Sequence, residues 1–328
     1  MVLDLRRTSA REALNRLVAH ADVVVQNLAP GAAARLGVGS AELRARRPEL
    51  ITVDISGYGS GGPYANARAY DLLVQSEAGS CAITGTPDAP AKPGIPLADI
   101  GAGMYAFASV LTALYTRQRT GEGAAISVGL FDAVAEWMGF ALNQARYAGV
   151  DPEPNGLSSP MVAPYGAYRT RDEQTLVLGT TNDAEWRRLA TKVLDRADLA
   201  EDPRYATNSG RVARRRELDE LIGEWASRRG LAECRAEAER AGLGHARLNR
   251  PSEVLGHPQL TARNRWRQVG SPVGPVAVLL PPPETTAWTW RLDPVPGLGE
   301  HTESVLKELG YDPAEIEAIG ASTEGQPK

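Results

Sequence analysis

Two short runs of β-branched and apolar residues, each preceded by a helical pattern, constrain the fold of this chain most strongly. The runs are residues 22–26 and 50–55, and the helical patterns cover residues 9–20 and 40–48. Apolar runs of this length are typical of strands buried on both faces of a parallel sheet. Their alternation with helices predicts βαβ units and therefore an α/β fold.

The starts of the two helices carry residues suited to capping. Ser9 and Glu12 have the spacing of a capping box, and Ser40 is placed to cap the short second helix. Further along, residues 99–120 are apolar nearly all round, which predicts a buried helix. A strand over residues 124–128 and an apolar helix over residues 130–147 are expected to follow.

Four prolines interrupt every periodic pattern within residues 149–164, so this stretch is expected to be a linker or an active-site loop. The elements predicted beyond it are a strand over 175–178, a helix over 182–194 capped by Asn182, charged amphipathic helices over 211–227 and 231–241, and a last helix over 301–309.

Charge and composition exclude several classes of partner. Lysine and arginine total 36 against 40 aspartates and glutamates, without a basic tract, so nucleic acid is not an expected partner. No apolar stretch approaches the roughly 20 residues of a membrane-spanning helix, so no membrane association is expected. Cys81 and Cys234 lie far apart, which predicts neither a disulfide framework nor a thiolate zinc site and fits a reducing cytoplasm.

Residues 57–62 contain the spacing GxGxxG directly after a predicted strand. In dinucleotide-binding loops a helix follows this spacing at once. Here Pro63, Tyr64 and Asn66 follow in place of a clear helical pattern, which favours a plain glycine turn over a nicotinamide site. The four histidines are dispersed and no serine lies in GxSxG, so metal catalysis and a serine hydrolase are not expected.

Asp99 is the most informative single candidate residue. It stands just before Gly101 and Gly103 at the predicted start of the long apolar helix. As an N-cap residue it would accept backbone N–H hydrogen bonds, and the helix dipole would keep it ionised at neutral pH. The spacing leaves two explanations open: an ordinary helix cap, or a nucleophilic carboxylate with space for a substrate beside the glycines.

Several short motifs are spread over nearly the whole chain. They are ADVVVQNLAPG at 21–31, ISGYG at 55–59 with GPY at 62–64, AYD at 69–71, ADIGAG at 98–103, RQRTGEG at 117–123 and LGEHT at 298–302. Together they resemble the class III coenzyme A transferases, the family that includes formyl-CoA transferase, carnitine CoA-transferase and α-methylacyl-CoA racemase.

This resemblance implies an acyl-CoA:carboxylate CoA-transferase with a ping-pong mechanism, in which Asp99 matches the catalytic aspartate. The Asp99 carboxylate would attack the donor thioester, form a mixed anhydride and then carry CoA as an aspartyl thioester. The CoA thioester is a substrate in this scheme, and no permanently bound cofactor or metal is implied.

Position by position, the CoA-contacting segments of the family fall on Leu3, Asp4, Leu5 and Arg6, on Asn27, Leu28 and Ala29, on Arg35, and on Ala67, Arg68, Ala69 and Tyr70. The three arginines suit CoA phosphates, although each alone would be read as a solvated surface charge. Tyr70 stands where the racemases carry a histidine base, so the resemblance favours a transferase over a racemase.

Two features differ from the family pattern. Family members begin with a strand and a helix that carry further CoA contacts, and this chain starts after that segment, so its nucleotide pocket is expected to be incomplete. The stretch matching the glycine-rich loop of formyl-CoA transferase is residues 155–166, which contains prolines. Such a loop resembles those of relatives that use itaconate, mesaconate, citramalate or malate with succinyl-CoA, which implies a small dicarboxylate acceptor.

The resemblance also implies a Rossmann-like large domain, incomplete at its N-terminus, with a smaller inserted α+β domain, in an interlocked homodimer. We expect residues 1–150 to form the first part of the large domain, 165–275 the small domain and 284–328 the C-terminal part of the large domain. Two other functions stay open: an α-methylacyl-CoA racemase or epimerase, and a truncated, non-catalytic paralogue that binds acyl-CoA.

Overall fold

The computed structural model describes residues 1–320 of this chain as a mixed α/β protein, as expected. The helices are α1 (Thr8–His20), α2 (Ala32–Arg35), α3 (Ser40–Arg46), α4 (Asp71–Glu77), α5 (Leu97–Thr120), α6 (Leu130–Trp137), α7 (Gly139–Asn143), α8 (Asp183–Arg188), α9 (Ala197–Glu201), α10 (Asn208–Ala213), α11 (Arg215–Ser227), α12 (Leu231–Arg240), α13 (Pro251–Val254), α14 (Pro258–Ala262), α15 (Thr302–Glu308) and α16 (Pro313–Gly320).

The strands are β1 (Val23–Gln26), β2 (Ile51–Ser56), β3 (Gly85–Thr86), β4 (Ala89–Pro90), β5 (Ala125–Gly129), β6 (Tyr165–Arg169), β7 (Thr175–Gly179), β8 (Gly244–Arg247), β9 (Trp266–Val269) and β10 (Val276–Leu279). The chain divides into two compact units. The first contains residues 1–68, 103–129 and 251–320, and the second contains residues 69–102 and 130–250.

A three-stranded parallel sheet organises the first unit. Its strand order is β1-β2-β5, which confirms the parallel pairing predicted from the alternation of strands and helices. In this register Gln26 lies beside Asp54, and Ser56 lies beside Gly129. Because the strands are parallel, the segments that follow β1 and β2 leave the sheet at the same edge.

The prediction that the first strand is buried on both faces is wrong. Val25 in β1 is 55% exposed, whereas Ile51 and Val53 in β2 are fully buried. Within residues 1–320, β1 pairs with β2 alone and therefore lies at an edge of the sheet. An edge strand has a neighbour on one side, so its side chains are covered less completely than those of a central strand.

The second unit is built around an antiparallel sheet and one large apolar cluster. The sheet has the order β6-β7-β8, and buried residues of β7, α8, α9, α11 and α12 form the cluster, with Trp186 and Leu218 among them. Cys234 is fully buried there, as a small apolar residue would be. The predicted cap of α8 is confirmed, since the Asn182 side chain accepts a hydrogen bond from Glu185 N at 2.9 Å.

Two other predicted caps are wrong. Helix α1 begins at Thr8 without a side-chain cap hydrogen bond, and Glu12 pairs with Arg16 instead of reaching back to the helix start. Helix α3 begins with Ser40 itself, whose Oγ donates a hydrogen bond to Asp54 Oδ2 at 2.6 Å. In both cases the serine lies inside the helix, where its hydroxyl no longer faces the first free N–H groups.

The helices predicted over 130–147 and 301–309 are present, but their division and bounds differ from the prediction. The first region is divided into α6, α7 and a π-helical turn at Gln144–Ala148, with a one-residue break at Met138, next to Gly139. Glycine lowers helix propensity, which agrees with a break at this point. The second region forms α15 and is followed by α16, a helix that the sequence patterns missed.

Helix α5 differs from the predicted buried helix. Four of its large apolar side chains are more than half exposed: Met104, Phe107, Leu111 and Tyr115. Its buried positions are mainly alanines, so the helix packs by its small-residue face. By length and composition, α5 also passes a test for a membrane-spanning helix, contrary to the sequence prediction. Core helices of water-soluble proteins pass the same test, so this result alone is weak evidence for a membrane.

We predict that Gly123→Ala destabilises the protein and that Gly103→Ala does not. A Cβ atom at Gly123 would lie 2.2 Å from Leu50 O and 2.5 Å from the Glu49 backbone, so the backbone must shift. Such overpacking typically costs about 1–3 kcal/mol. A Cβ atom at Gly103 inside α5 meets no atom within 4 Å of the described chain, and helix propensity then favours alanine by about 0.5–1 kcal/mol.

Urea unfolding of the two variants and of the wild type measures the change in the free energy of unfolding for both substitutions. A lower midpoint for Gly103→Ala, or an unchanged midpoint for Gly123→Ala, would contradict the packing described here.

Candidate functional site

Asp99 lies in the first turn of α5, two residues after the helix begins at Leu97. The prediction that Asp99 is the N-cap residue is therefore wrong, because the helix starts before it. The capping acceptor is supplied from elsewhere in the second unit: Ala98 N donates a hydrogen bond to Asp71 Oδ1 at 2.9 Å. The Asp99 side chain itself is exposed in the single chain.

Asp71 is a site residue that the sequence analysis did not single out. It is the first residue of α4, and its side chain is 14% exposed. Its Oδ2 accepts a hydrogen bond from Gln75 Nε2 at 2.7 Å and lies 3.7 Å from Lys92 Nζ. The sequence signal for it was the AYD motif, together with the Asp71 and Gln75 spacing of one helical turn.

The surroundings of Asp99 shift its pKa upward, whereas the predicted backbone hydrogen bonds and helix dipole would shift it downward. Atoms packed around the carboxylate withhold part of its solvent and raise its pKa, and the negative charge of Asp71 raises that pKa further. The sequence analysis expected backbone hydrogen bonds and the helix dipole to favour the ionised form. Asp71 takes the cap hydrogen bond from Ala98 N, so the charged group acting on Asp99, after the loss of solvent, is a second carboxylate.

The two glycines after Asp99 have different surroundings. A Cβ atom on Gly101 would lie 3.0 Å from Trp137 Cη2, so this glycine is explained by close packing of the indole ring. A Cβ atom on Gly103 would meet nothing within 4 Å among the described residues. Of the two positions expected to leave room for a substrate, Gly103 is the one that is open.

In the first unit, the predicted CoA-contacting turn at Asn27, Leu28 and Ala29 follows β1. Gln26 holds it, because Gln26 Oε1 accepts a hydrogen bond from Leu28 N at 2.7 Å. Gln26 Nε2 in turn donates to Asp54 Oδ1 at 2.9 Å, and Ser40 Oγ binds the other Asp54 oxygen. The turn therefore leaves the carboxyl edge of the sheet in a fixed conformation, at the edge where α/β sheets bind ligands.

In the N-terminal segment at residues 3–6, the two leucines are partly buried and the two charged residues pair with each other. Leu3 packs against the cluster that includes Ala13 and Leu306, while Leu5 is half-buried. Arg6 and Asp4 form an ion pair with Nε–Oδ1 at 2.8 Å, and the Arg6 hydrogen bonds lower the pKa of Asp4 to about 2. Arg6 is therefore already paired with a carboxylate, so a phosphate there would compete with Asp4.

The remaining predicted contacts lie in loops and at helix starts. Arg35 ends α2 and is exposed, and Arg68 is exposed in the loop that leads to α4, with Ala67 and Ala69 half-buried beside it. Tyr70 is 66% exposed and precedes α4. Residues 57–62 form glycine turns without a helix directly behind them, which agrees with the plain-turn interpretation.

A second group that the sequence analysis missed fixes the loop at 155–166. Arg215 donates to Ser158 Oγ at 2.8 Å and to the carbonyls of Ser159, Val162 and Tyr165. Asn208 and Arg211 bind the same loop, through Met161 O at 2.8 Å and Ala163 O at 2.9 Å. Asn208 and Arg211 are one helical turn apart in α10, and Arg215 begins α11, so no single helical pattern in the sequence pointed to the three together.

Residues 1–320 hold no group of three or more His, Cys, Asp or Glu side chains that could bind a metal ion. The groups that the structure assembles at the start of α5 are the Asp99 carboxylate and, bonded to the neighbouring Ala98 N, the Asp71 carboxylate with its partners Gln75 and Lys92. A carboxylate whose pKa is raised is a stronger nucleophile when ionised, and it can form a covalent intermediate with an acyl group.

Comparisons with known proteins identify the family of this chain. The family model described as CoA-transferase family III matches residues 1–302. The succinate–glutarate CoA-transferase of Agrobacterium fabrum is 34% identical over 316 residues, which cover 94% of this chain and 78% of that protein. The succinyl-CoA–D-citramalate CoA-transferase of Chloroflexus aurantiacus is 31% identical over 312 residues, covering 94% and 77%.

A solved structure shows the same likeness in three dimensions. The crystal structure of a CaiB/BaiF family protein from Brucella suis has a TM-score of 0.81 and 33% sequence identity, and the match covers 94% of this chain and 80% of that one. The family match, the named relatives and the fold agree over most of the sequence. This chain belongs to CoA-transferase family III.

Proposed function

We propose that this chain transfers CoA from a succinyl-CoA-like donor to a small dicarboxylate acceptor, with Asp99 as the nucleophile. The observation that carries the proposal is an exposed carboxylate in the first turn of α5, beside the open position at Gly103. The relatives named for glutarate and D-citramalate support a dicarboxylate acceptor. A relative from Acetobacter aceti, 32% identical, is named for acetyl-CoA and oxalate, another dicarboxylate.

The proposed reaction conserves charge and oxygen atoms at each step. An Asp99 oxygen attacks the carbonyl of the donor thioester and the C–S bond breaks. CoA leaves as a thiolate, and a mixed anhydride of Asp99 and the donor acid is formed. The thiolate attacks Cγ of Asp99 and releases the donor acid with the original aspartate oxygen. The acceptor carboxylate then attacks Cγ of the aspartyl thioester and expels CoA thiolate. Finally, the thiolate attacks the acceptor carbonyl of this second anhydride, which restores the Asp99 carboxylate.

The N-terminal end of α5 is a favourable place for the negative charges that develop during this reaction. Each tetrahedral intermediate places a negative charge on an oxygen near Asp99, and the positive end of the α5 dipole favours that charge. The anhydrides react with water, so the proposal requires that bound substrate excludes solvent from the exposed carboxylate.

The proposal places CoA on the family-matched segments of the first unit. The turn at 27–29 is held by Gln26, and exposed Arg35 and Arg68 offer guanidinium groups to the CoA phosphates. Arg6 joins them by exchanging Asp4 for a phosphate oxygen. A Rossmann-like large domain at 1–150 and 284–328 and a small domain at 165–275 belong to the same proposal.

A homodimer and a cytoplasmic location complete the proposal. The exposed apolar residues of α5 give a second copy of the chain a surface to bury, which supports the homodimer. Two free cysteines agree with a reducing compartment. The racemase alternative lacks support, because Tyr70 replaces the histidine base and a phenol is a poor base near neutral pH.

Asp99→Ala is predicted to abolish CoA exchange while the protein stays folded. Removing the nucleophile removes the covalent route, so the rate should fall by at least about 10³-fold. The assay incubates succinyl-CoA with a mixture of small dicarboxylates and detects new acyl-CoA species by mass spectrometry. Glu239→Gln, which removes an exposed carboxylate from α12, serves as the control with wild-type activity.

A fully active Asp99→Ala variant would refute Asp99 as nucleophile. An inactive variant counts for the proposal only if its urea unfolding midpoint equals that of the wild type, since a misfolded chain would also be inactive.

We further propose that the loop at 155–166 contacts the acceptor acid and that Arg215 sets its shape. Arg215→Met removes hydrogen bonds to Ser158 and to three loop carbonyls. The KM for the acceptor is therefore predicted to rise at least about tenfold, with little change in thioester formation from the donor.

Arg216→Met is the matched control, since Arg216 is the next residue in α11 and is exposed. Equal losses in both half-reactions of Arg215→Met, or an unchanged KM for the acceptor, would contradict an acceptor-specific role.

A further inference from the structure

We infer that Asp71 is a positioning residue for Asp99: it fixes the first turn of α5, and its negative charge disfavours the free Asp99 carboxylate relative to its acylated forms. The inference rests on the proposed role of Asp99 as nucleophile. Asp71 itself forms no bond to substrate in this account.

The first argument is geometric. Asp71 Oδ1 accepts the hydrogen bond of Ala98 N at 2.9 Å, and Ala98 is the fully buried neighbour of Asp99 in the chain. The N–H groups of a first helical turn have no partner inside the helix, so an outside acceptor fixes where the turn begins. The position of the Asp99 backbone is thereby tied to α4.

The second argument is that Asp71 is itself held in place. Gln75 is fully buried, and its Nε2 donates to Asp71 Oδ2 at 2.7 Å. Its Oε1 has no hydrogen-bond partner among the residues described. A buried amide that leaves its oxygen unpaired to keep its nitrogen on Asp71 indicates that the orientation of this carboxylate matters.

The third argument is electrostatic. Lys92 Nζ lies 3.7 Å from Asp71 Oδ2. The pKa of the solvent-exposed Asp99 is raised first by the atoms that withhold part of its solvent and then by the Asp71 charge. When Asp99 becomes an anhydride or a thioester, it loses its charge and the repulsion ends. Asp71 therefore shifts the equilibrium toward the covalent intermediates and makes the free carboxylate more nucleophilic.

Lys92 acts in the opposite direction. Its positive charge offsets part of the negative charge of Asp71 and so lessens the repulsion on Asp99. The side chain is exposed, so solvent screens its effect more than that of Asp71. Removing Lys92 should then move every measured quantity in the direction opposite to removing the charge of Asp71.

Asp71→Asn separates charge from position. The asparagine oxygen still accepts from Ala98 N, and the unpaired Gln75 Oε1 can turn to accept from the new amide nitrogen. The variant is incubated with succinyl-CoA and succinate alone, quenched in acid, and weighed intact to give the fraction of protein that carries CoA. The pH dependence of thioester formation is measured beside it.

We expect the ratio of thioester to free enzyme to fall severalfold in Asp71→Asn, up to about tenfold for one unit in the pKa of Asp99. The ionised nucleophile is lost as pH falls through this pKa, so the acidic limb of the rate profile should move to lower pH. Lys92→Met should raise the ratio and move the limb to higher pH, and Glu239→Gln should change neither.

Suppose that the wild-type protein forms the thioester but Asp71→Asn shows the same ratio of thioester to free enzyme and the same acidic limb. That result would overturn this inference and leave the proposed function intact, because a merely structural role of Asp71 lowers the rate without changing the ratio or the limb. Wild-type protein that never forms thioester would contradict the proposed function and this inference together.

Discussion

The hydrogen bond from Ala98 N to Asp71 Oδ1 is the contact on which the candidate site depends most. It joins the starts of α4 and α5 and so decides where the helix that carries Asp99 begins. The same contact brings a negative charge near Asp99 and raises the pKa of that carboxylate beyond the effect of burial. One side chain thus fixes the helix start that carries Asp99 and, in the proposed mechanism, also tunes the reactivity of that carboxylate.

Two loops are each fixed by more than one hydrogen bond of a single side chain. At the sheet edge, Gln26 uses both ends of its amide, one on Leu28 N and one on Asp54, to hold the turn after β1. In the second unit, Arg215 spans Ser158 and the carbonyls of Ser159, Val162 and Tyr165. Loops are usually mobile, and polar side chains from regular elements are what give these two a fixed backbone.

The sequence was sufficient for features that depend on near neighbours in the chain. The parallel strands and the Asn182 cap were predictable because β-branched runs and capping spacings act locally. The solvent exposure of Val25 and Phe107 was not predictable from the sequence, because it depends on which other parts of the fold pack against each residue. The raised pKa of Asp99 was not predictable either, because it comes first from atoms that withhold solvent from the carboxylate and then from the charge of Asp71, which lies 27 residues before Ala98 in the chain.

Oxygen-18 transfer tests the central claim most directly. An acceptor dicarboxylate labelled in its carboxyl oxygens is turned over once with succinyl-CoA, and the protein is digested and its peptides weighed. The account predicts that one oxygen-18 atom appears in the peptide containing Asp99, since the acceptor leaves one oxygen on that carboxylate in each turnover. Transfer of CoA without label in this peptide, or with label at Asp71 instead, would contradict it.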